Sequence, residues 1–226
     1  MANLNSSSQI TSKKLASMIE HTLLAGDLNE ERILTHLNEA LRLKVFGVCI
    51  PLAWVPIAKE YLAQSSIKII TVIDFPFGQK SCEEKAQEAR VAVSLGADEI
   101  DMVLDYEALI AKNYDKALED VTAVVHAAGP IPVKVIVETS ALDKAQLASA
   151  ITIVALSKAQ FIKTSTGFHK AGAQAQDIAL MRHLLPDHIG IKASGGIKDF
   201  SSALAMIKAG ATRIGASRSQ EILQGC

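Results

Sequence analysis

The 226-residue sequence has few aromatic residues and almost no net charge. Aromatic side chains make up 4% of the chain and hydrophobic ones 49%, so the core must consist mainly of Ala, Val, Ile and Leu. This composition is typical of helices packed on a buried parallel sheet. The 23 basic and 24 acidic residues give a formal net charge of −1, and no basic stripe stands out along the chain. These features argue against a nucleic-acid-binding or membrane-surface protein.

Cysteine is also scarce, and the three residues Cys49, Cys82 and Cys226 stand at unrelated spacings. They form no C-x-x-C pair, and no histidine stands near enough to suggest a zinc site. We therefore predict a reducing, cytoplasmic location and no bound metal. The first 14 residues are polar, and no apolar run approaches the roughly 18 residues that a membrane span requires. Neither an anchor nor an export signal is expected.

What the chain does contain is a repeated pattern of a short apolar run, a turn and an amphipathic stretch. Eight runs are predicted strands: 18–23, 45–50, 67–74, 99–104, 132–139, 161–166, 190–194 and 213–217. The spacing of apolar residues between them predicts helices that include 29–43, 81–95, 143–157, 174–185 and 200–209. Eight strands with intervening helices, and no linker-like tract, predict a single (β/α)8 TIM barrel over 1–226. A short N-terminal helix at about 8–16 is expected to close the bottom of the barrel.

The alternation of side chains assigns a face to each strand residue, because successive residues of a barrel strand point to the lumen and to the helices in turn. This count places Asp101 in the lumen, with Ile100 and Met102 toward the helices. It also places Lys163 and Lys192 in the lumen. The two lysines are one βα repeat apart, so they should stand side by side.

Two lysines in a nearly dry lumen point to chemistry, because an unpaired buried ammonium costs several kcal/mol. At an effective dielectric constant near 20 and roughly 4 Å, two unit charges repel by about 4 kcal/mol, which brings a lysine close to neutrality. A neutral amine can attack a carbonyl to form a Schiff base, and Asp101 could move the protons. The structural alternative is that each lysine pairs with a carboxylate such as Asp101 or Glu138. Lys134 shares the parity of Glu138 and is expected to form an ion pair or to tune its neighbours.

Glycine-rich segments after the last three strands form a second signal. Gly195 and Gly196 follow the seventh strand, and Ser217 ends the segment Gly-Ala-Ser at the eighth. Many barrels bind a phosphate at these positions with backbone N–H groups. Thr166 and Gly167 after the sixth strand could add donors.

With these residues in view, the chain resembles the deoxyribose-phosphate aldolases, class I aldolases of the barrel fold, over nearly its whole length. The resemblance is carried by EHTLL at 20–24, EIDMV at 99–103, KVIVET at 134–139, FIKTSTGF at 161–168, IKASGGIKDF at 191–200 and AGATRIGAS at 209–217. It implies reversible cleavage of 2-deoxy-D-ribose 5-phosphate into D-glyceraldehyde 3-phosphate and acetaldehyde, with no cofactor. The family is usually dimeric or tetrameric, which implies a homodimer or homotetramer.

The resemblance also assigns roles to residues. It implies that Lys163 forms the Schiff base, that Lys192 lowers the pKa of Lys163, and that Asp101 relays protons with a water. Phosphate contacts correspond to Gly167, Gly195, Gly196 and Ser217, and a polar substrate contact corresponds to Thr22.

The chain departs from the family pattern at several places. Arg218 follows Ser217 where a second serine is common, Glu20 stands where aspartate is common, and the segment 50–54 after Cys49 differs from the usual pattern. Arg218 and the segment after Cys49 keep open an aldolase with a different or non-phosphorylated aldehyde substrate. A third interpretation is a sugar-phosphate-binding barrel without catalysis. Asp101, Lys163 and Lys192 argue against it, because a binding protein has no use for a desolvated lysine pair.

Overall fold

Eight parallel strands form a closed barrel in the computed structural model, which describes residues 10–169 and 171–226. The strands are β1 (Ile19–Thr22), β2 (Gly47–Ile50), β3 (Lys68–Ile73), β4 (Glu99–Val103), β5 (Val133–Ile136), β6 (Phe161–Lys163), β7 (Gly190–Ser194) and β8 (Arg213–Ala216). Each strand pairs with its neighbours in chain order, and β8 pairs with β1. The predicted (β/α)8 class is confirmed.

One short helix precedes the first strand, and the others follow the strands and cover the outside of the barrel. They are α1 (Ser12–Ala16), α2 (Glu30–Leu43), α3 (Val55–Tyr61), α4 (Cys82–Leu95), α5 (Tyr106–Ile110), α6 (Tyr114–Ala128), α7 (Lys144–Leu156), α8 (Ala175–Leu184), α9 (Phe200–Lys208) and α10 (Ser219–Gln224). None of the helices in the described part of the chain has the length and hydropathy needed to cross a membrane.

Most predicted helices begin one residue early because the sequence pattern does not separate a capping residue from the first helical turn. Ser81 accepts a hydrogen bond from the backbone N–H of Glu84, whose side chain accepts one from the N–H of Ser81. Asp143 and Gln146 form the same reciprocal pair at the start of α7, whereas Asn29 caps α2 only by accepting a hydrogen bond from the N–H of Arg32. These side chains satisfy N–H groups that have no partner within the helix.

Six of the predicted strands extend one to three residues too far at their carboxyl ends, among them 67–74, 132–139 and 161–166. The ranges 67–74 and 132–139 include Asp74 and Glu138, whose φ angles of 48° and 52° lie in the left-handed region. An extended strand cannot continue through that conformation. The range 161–166 is also too long, since β6 ends at Lys163. In each case the residues beyond the strand belong to a loop above the barrel, where a site is expected.

The N-terminal helix lies at the amino ends of the strands, as predicted. Leu15 of α1 is fully buried, and the carbonyl of Ala16 accepts a hydrogen bond of 3.0 Å from the N–H of Phe46, just before β2. The observed helix is shorter than the predicted 8–16, of which residues 8 and 9 lie outside the described residues.

The apolar core lies mainly between the strands and the helices, where Ile100 and Met102 pack. Val103 and Ile136 belong instead to a small separate cluster with Tyr106 above the charged part of the lumen. The faces assigned to β4 by parity therefore agree with the structure.

Candidate active site

The barrel lumen holds a buried group of charged side chains that we call the lumen cluster. Its members are Glu20, Glu99, Asp101, Lys134, Lys163, Lys192 and Arg213. None is more than 8% exposed. Four cations thus face three carboxylates, a formal excess of one positive charge when every member is ionised. A buried excess charge is costly, so the loss of one proton from this cluster is favoured.

Asp101 joins the three lysines. Its Oδ2 atom lies 2.9 Å from Nζ of Lys163 and 2.6 Å from Nζ of Lys192. Its Oδ1 atom accepts a hydrogen bond of 2.9 Å from Lys134. Burial alone would raise the pKa of Asp101, but the three ammonium groups outweigh it and hold that pKa well below its ordinary value. Asp101 is therefore ionised and accepts hydrogen bonds from all three lysines.

The predicted juxtaposition of Lys163 and Lys192 is confirmed by the register of β6 and β7, which pairs the two residues directly. The prediction that they repel each other as unpaired charges is incomplete, because both contact Asp101. The alternative that each lysine forms an ion pair with a lumen carboxylate is therefore correct for Asp101. It is wrong for Glu138, whose Oε2 accepts hydrogen bonds from the backbone N–H and the hydroxyl of Thr166, at 3.0 and 2.6 Å.

The three lysines differ in the number of carboxylates that they contact. Lys134 contacts Glu99 at 2.7 Å, Asp101 at 2.9 Å and Glu20 at 3.5 Å. Lys192 contacts Asp101 and Glu20, whereas Lys163 contacts Asp101. Each nearby carboxylate favours the protonated form of a lysine, so a lysine with more carboxylate contacts gives up its proton less readily. Lys163 is therefore the cluster lysine that the carboxylates hold least.

Lys192 stays protonated in this arrangement. Burial alone would lower the pKa of Lys192, but Asp101 and Glu20 outweigh it, and that pKa lies above its ordinary value. The same balance, with Asp101 and Glu20 again opposing burial, raises the pKa of Lys134. A fixed positive charge thus lies beside Lys163, across one oxygen of Asp101.

The sequence analysis did not predict that Arg213 and its partner Glu99 belong to the lumen cluster. Arg213 on β8 donates to Glu20 at 2.8 Å and to Glu99 at 3.1 Å. Its guanidinium lies 3.4 Å from the centroid of the Phe46 ring and 5.2 Å from that of Phe161. Strand alternation could have found Arg213 and Glu20, since each has a neighbour, Ile214 and Ile19 respectively, in the apolar core.

The glycine-rich loops after β6 and β7 meet above the lumen. Gly167, Gly195 and Gly196 have φ angles of 87°, 87° and 75°, which non-glycine residues rarely adopt. A Cβ atom on Gly195 would lie 2.9 Å from Cα of Gly172, so these two loops touch through their backbones. The contact with Gly172 was not predicted, although Gly172 stands in the same post-strand segment.

Two other predicted binding residues stand at the adjacent rim. Thr22 ends β1 and donates from its hydroxyl to the carbonyl of Glu20 at 3.0 Å. Ser217 follows β8 and is exposed. Both line one groove of about 410 Å³ between the strand ends and α2. The nine predicted site residues thus occupy the lumen and the carboxyl end of the barrel.

Glu20, Cys49 and Asp101 lie close enough to hold a metal ion, with one ligand atom from each within 4.8 Å of the others. Both carboxylates already contact ammonium groups, which compete with a metal cation for the same oxygens. Burial raises the pKa of the Cys49 thiol to about 11, so a thiolate ligand is disfavoured. These residues fit a metal poorly.

His21, which could be read from the sequence as an acid or base, points away from the lumen cluster. Its Nδ1 atom lies 2.8 Å from the hydroxyl of Ser219, and its ring stacks on His36 at 4.0 Å. Nε2 of His36 donates to the carbonyl of His21 at 3.1 Å. Burial lowers the pKa of His21 to about 4 and that of His36 to about 3, so both rings are neutral in the folded protein.

We therefore expect the folded state to lose stability in mild acid. An unfolded histidine binds a proton near pH 6.5, whereas these two resist protonation, so their contribution is complete above pH 6.5 and declines toward pH 4. His36→Gln keeps a donor for the carbonyl of His21 and should remove about 3 kcal/mol of this decline. Urea unfolding at several pH values measures it, with His126→Gln, a change of an exposed histidine on α6, as control. An equal decline in the wild type and the His36 variant would contradict the assignment.

Comparisons with known proteins agree with this geometry. A family model described as DeoC/LacD family aldolase matches residues 15–225. A deoxyribose-phosphate aldolase of Mannheimia succiniciproducens is 43% identical over 213 residues, which cover 94% of this chain and 95% of the relative. One from an Exiguobacterium species is 45% identical and covers 94% and 96%. The structure is also similar to that of the tetrameric deoxyribose phosphate aldolase of Aeropyrum pernix, with a TM-score of 0.87, 28% identity and coverage of 95% and 91%.

Proposed function

Because this chain belongs to the DeoC/LacD aldolase family, we propose that it cleaves 2-deoxy-D-ribose 5-phosphate reversibly into D-glyceraldehyde 3-phosphate and acetaldehyde. The reaction passes through a Schiff base on Lys163. The observation that carries this assignment is the meeting of three lysines at Asp101, with Lys163 contacting one carboxylate and its neighbours contacting more. A nucleophilic amine requires a lysine that can give up its proton.

The charge of the lumen cluster identifies which lysine does so. When Lys163 is neutral, three cations face three carboxylates, and the buried excess charge is gone. Lys134 and Lys192 are held by more carboxylates and keep their protons. The ammonium of Lys192 beside Lys163 further disfavours a second positive charge there.

The amine of Lys163 then attacks C1 of the open-chain sugar. Loss of water from the resulting carbinolamine gives a protonated imine, which restores the positive charge next to Asp101. Lys192 can donate the proton that leaves with this water, and solvent water can reprotonate Lys192 by way of Asp101. The protonated imine accepts the electron pair of the C2–C3 bond as the C3 hydroxyl loses its proton.

Bond cleavage releases D-glyceraldehyde 3-phosphate and leaves an enamine on Lys163. Protonation of the enamine carbon and attack by water then release acetaldehyde and regenerate the amine. Asp101 and Lys192 are the groups near Lys163 that can relay these protons, together with water. The route needs neither a metal nor an organic cofactor.

We assign the substrate phosphate to the loops after β6, β7 and β8. The left-handed glycines Gly167, Gly195 and Gly196 expose backbone groups where a side chain would obstruct a ligand. Ser217 adds a hydroxyl after β8, Thr22 ends the neighbouring strand β1, and Thr166 lies in the loop after β6. Thr166 is held by Glu138, so its contribution is to fix the loop that carries Gly167.

The alternative substrate is an aldehyde without a phosphate, which Arg218 in place of a second serine keeps open. Turnover of 2-deoxy-D-ribose 5-phosphate and of free 2-deoxy-D-ribose separates the two. We expect the phosphorylated sugar to be preferred at least about 100-fold in kcat/KM, since several charge-assisted hydrogen bonds are lost without it. Ser217→Ala should raise KM for the phosphorylated sugar about tenfold, whereas Ser201→Ala on α9 should not.

Equal turnover of the two sugars would favour the non-phosphorylated substrate. Binding of the phosphorylated sugar without imine or product would favour a binding protein instead.

We also propose that the protein is cytoplasmic, that residues 1–226 act as one catalytic domain, and that it is a homodimer or homotetramer. The tetrameric Aeropyrum pernix relative supports the last point.

A further inference from the structure

A second buried lysine site lies outside the lumen cluster. Lys85 on α4 is fully buried. Its ammonium contacts the carboxylate of Asp120 on α6 at 2.8 Å and donates to the carbonyls of Val103 at 3.0 Å and Gly78 at 3.2 Å. Asp74 lies 3.5 Å away. One side chain thus joins two helices, the end of β4 and the loop between β3 and α4.

That loop, residues 74–81, is fixed at several points. Asp74 has a left-handed φ of 48° and accepts a hydrogen bond of 2.8 Å from the N–H of Lys80. Gly78 has a φ of 70°, and a Cβ there would lie 2.5 Å from the carbonyl oxygen of Leu104. The loop therefore sits directly against the end of β4, and Lys85 holds both sides of this contact.

The loop carries an aromatic ring over the proposed nucleophile. The centroid of the Phe75 ring lies 6.0 Å from Nζ of Lys163. The same ring packs edge to face on Phe168, with centroids 5.2 Å apart, and against the small apolar cluster of Val103, Tyr106 and Ile136. Lys85 binds the carbonyl of Val103, a member of this cluster. An apolar wall at this place limits the access of water to the amine and to an enamine formed on it.

Stability alone does not account for a lysine at position 85. A buried ion pair is often no more stabilising than apolar side chains of similar volume, because each charge loses its hydration. The carbonyls of Gly78 and Val103, however, need donors in a defined geometry. A long cationic side chain supplies them at the one point where the loop and β4 meet.

We propose that Lys85 is a positioning residue that acts through Phe75. By holding the carbonyls of Gly78 and Val103 together, it fixes the ring of Phe75 over Lys163 and so sets the rate of imine formation. This inference rests on the proposed Schiff base at Lys163, and it assigns no substrate contact to Lys85.

The test is a double-mutant cycle of Lys85→Met and Phe75→Ala. The readout is the single-turnover rate of borohydride-trapped imine on Lys163 with 2-deoxy-D-ribose 5-phosphate, alongside thermal unfolding. A small displacement of a reacting group costs between about 10-fold and about 100-fold in rate, so each single variant should fall in that range. The double variant should be no slower than the slower single variant, because both changes remove the same positioning.

Asp120→Asn removes the charge of the carboxylate that contacts Lys85, and it is measured alongside. The proposal can then still be tested if Lys85→Met does not fold. Arg182→Met is the matched control, because Arg182 also donates to backbone carbonyls, those of Leu185, Pro186 and Ile189, but below the amino end of β7. It should lower the melting temperature without slowing imine formation. A wild-type rate in Lys85→Met, or effects that multiply fully in the double variant, would overturn the proposal. No imine on Lys163 in the wild type would overturn the proposed function with it.

Discussion

Lys163→Met is expected to abolish imine trapping and to lower kcat for cleavage by on the order of 10⁴-fold or more. The variant removes the amine that forms the covalent intermediate, and the two remaining lysines, Lys134 and Lys192, are held as cations by their carboxylates. Borohydride reduction with limiting substrate, followed by peptide mass mapping, shows which lysine carries the adduct. In the wild type the adduct should map to the peptide that contains Lys163.

Lys163→Arg is the informative partner of this variant. It keeps a positive charge beside Asp101 but cannot form an imine, so it should be as inactive as Lys163→Met. Activity in the arginine variant would show that Lys163 contributes charge and not a nucleophile. An adduct on Lys192 or Lys134 in the wild type would place the nucleophile on a lysine that contacts more carboxylates.

Strand alternation explains why so much of this site was predictable. Asp101 and Lys192 each stand between two apolar residues in a short strand, and Lys163 follows the apolar Ile162, so their direction follows from local sequence once a barrel is assumed. Their mutual contacts then follow from the closed strand order. The glycines after β6 and β7 were predictable for a similar reason, since the carboxyl ends of barrel strands form the site.

The partners of these residues were harder to predict because they depend on packing across the barrel. Glu20 reaches Lys192 from β1, and Arg213 reaches Glu99 across the lumen from β8 to β4. Which carboxylate each lysine contacts is set by side-chain length and by the tilt of the strands, which the alternation pattern does not encode. The expectation of two unpaired lysines was incomplete for that reason.

The loop after β3 shows the same limit. The sequence analysis predicted that the strand continues to Asp74. In the structure the left-handed conformation of Asp74 ends the strand and redirects the chain, so that Phe75 lies over Lys163. That turn is held by Lys80, Glu88 and Lys85, all later in the sequence. Long-range contacts, and not local propensity, decide where the ring lies.

Asp101→Asn is expected to have the second largest effect, and it acts on both stability and turnover. The substitution leaves four cations facing two carboxylates in a buried lumen. Removal of one partner of a buried ion pair costs about 3–5 kcal/mol, so the free energy of unfolding at pH 7 should fall by about that amount. Loss of a group that moves protons in the reaction should also lower kcat by on the order of 10³-fold.

The pH dependence of stability distinguishes the ion pairs of Asp101 from simple packing. The pKa of Asp101 lies well below its ordinary value of 3.8, since three ammonium groups outweigh its burial. Its contribution is therefore complete above about pH 4 and is lost as the pH falls below that value. Urea unfolding should show the wild type and Asp101→Asn converging below pH 4, where acid removes the same charge that the mutation does.

Asp98→Asn is the control for this experiment, because Asp98 lies at the amino end of β4, where it accepts from the N–H of Ile69 at 2.9 Å and contacts Lys68 at 3.5 Å. It should lower stability with little effect on kcat. If Asp101→Asn traps the imine at a rate near that of the wild type yet releases little acetaldehyde, Asp101 acts in proton transfer after carbon–carbon cleavage. If trapping itself is slow, the carboxylate acts earlier, in the proton transfers that free the amine of Lys163 and form the imine. Turnover within tenfold of the wild type, with unchanged stability, would contradict both roles.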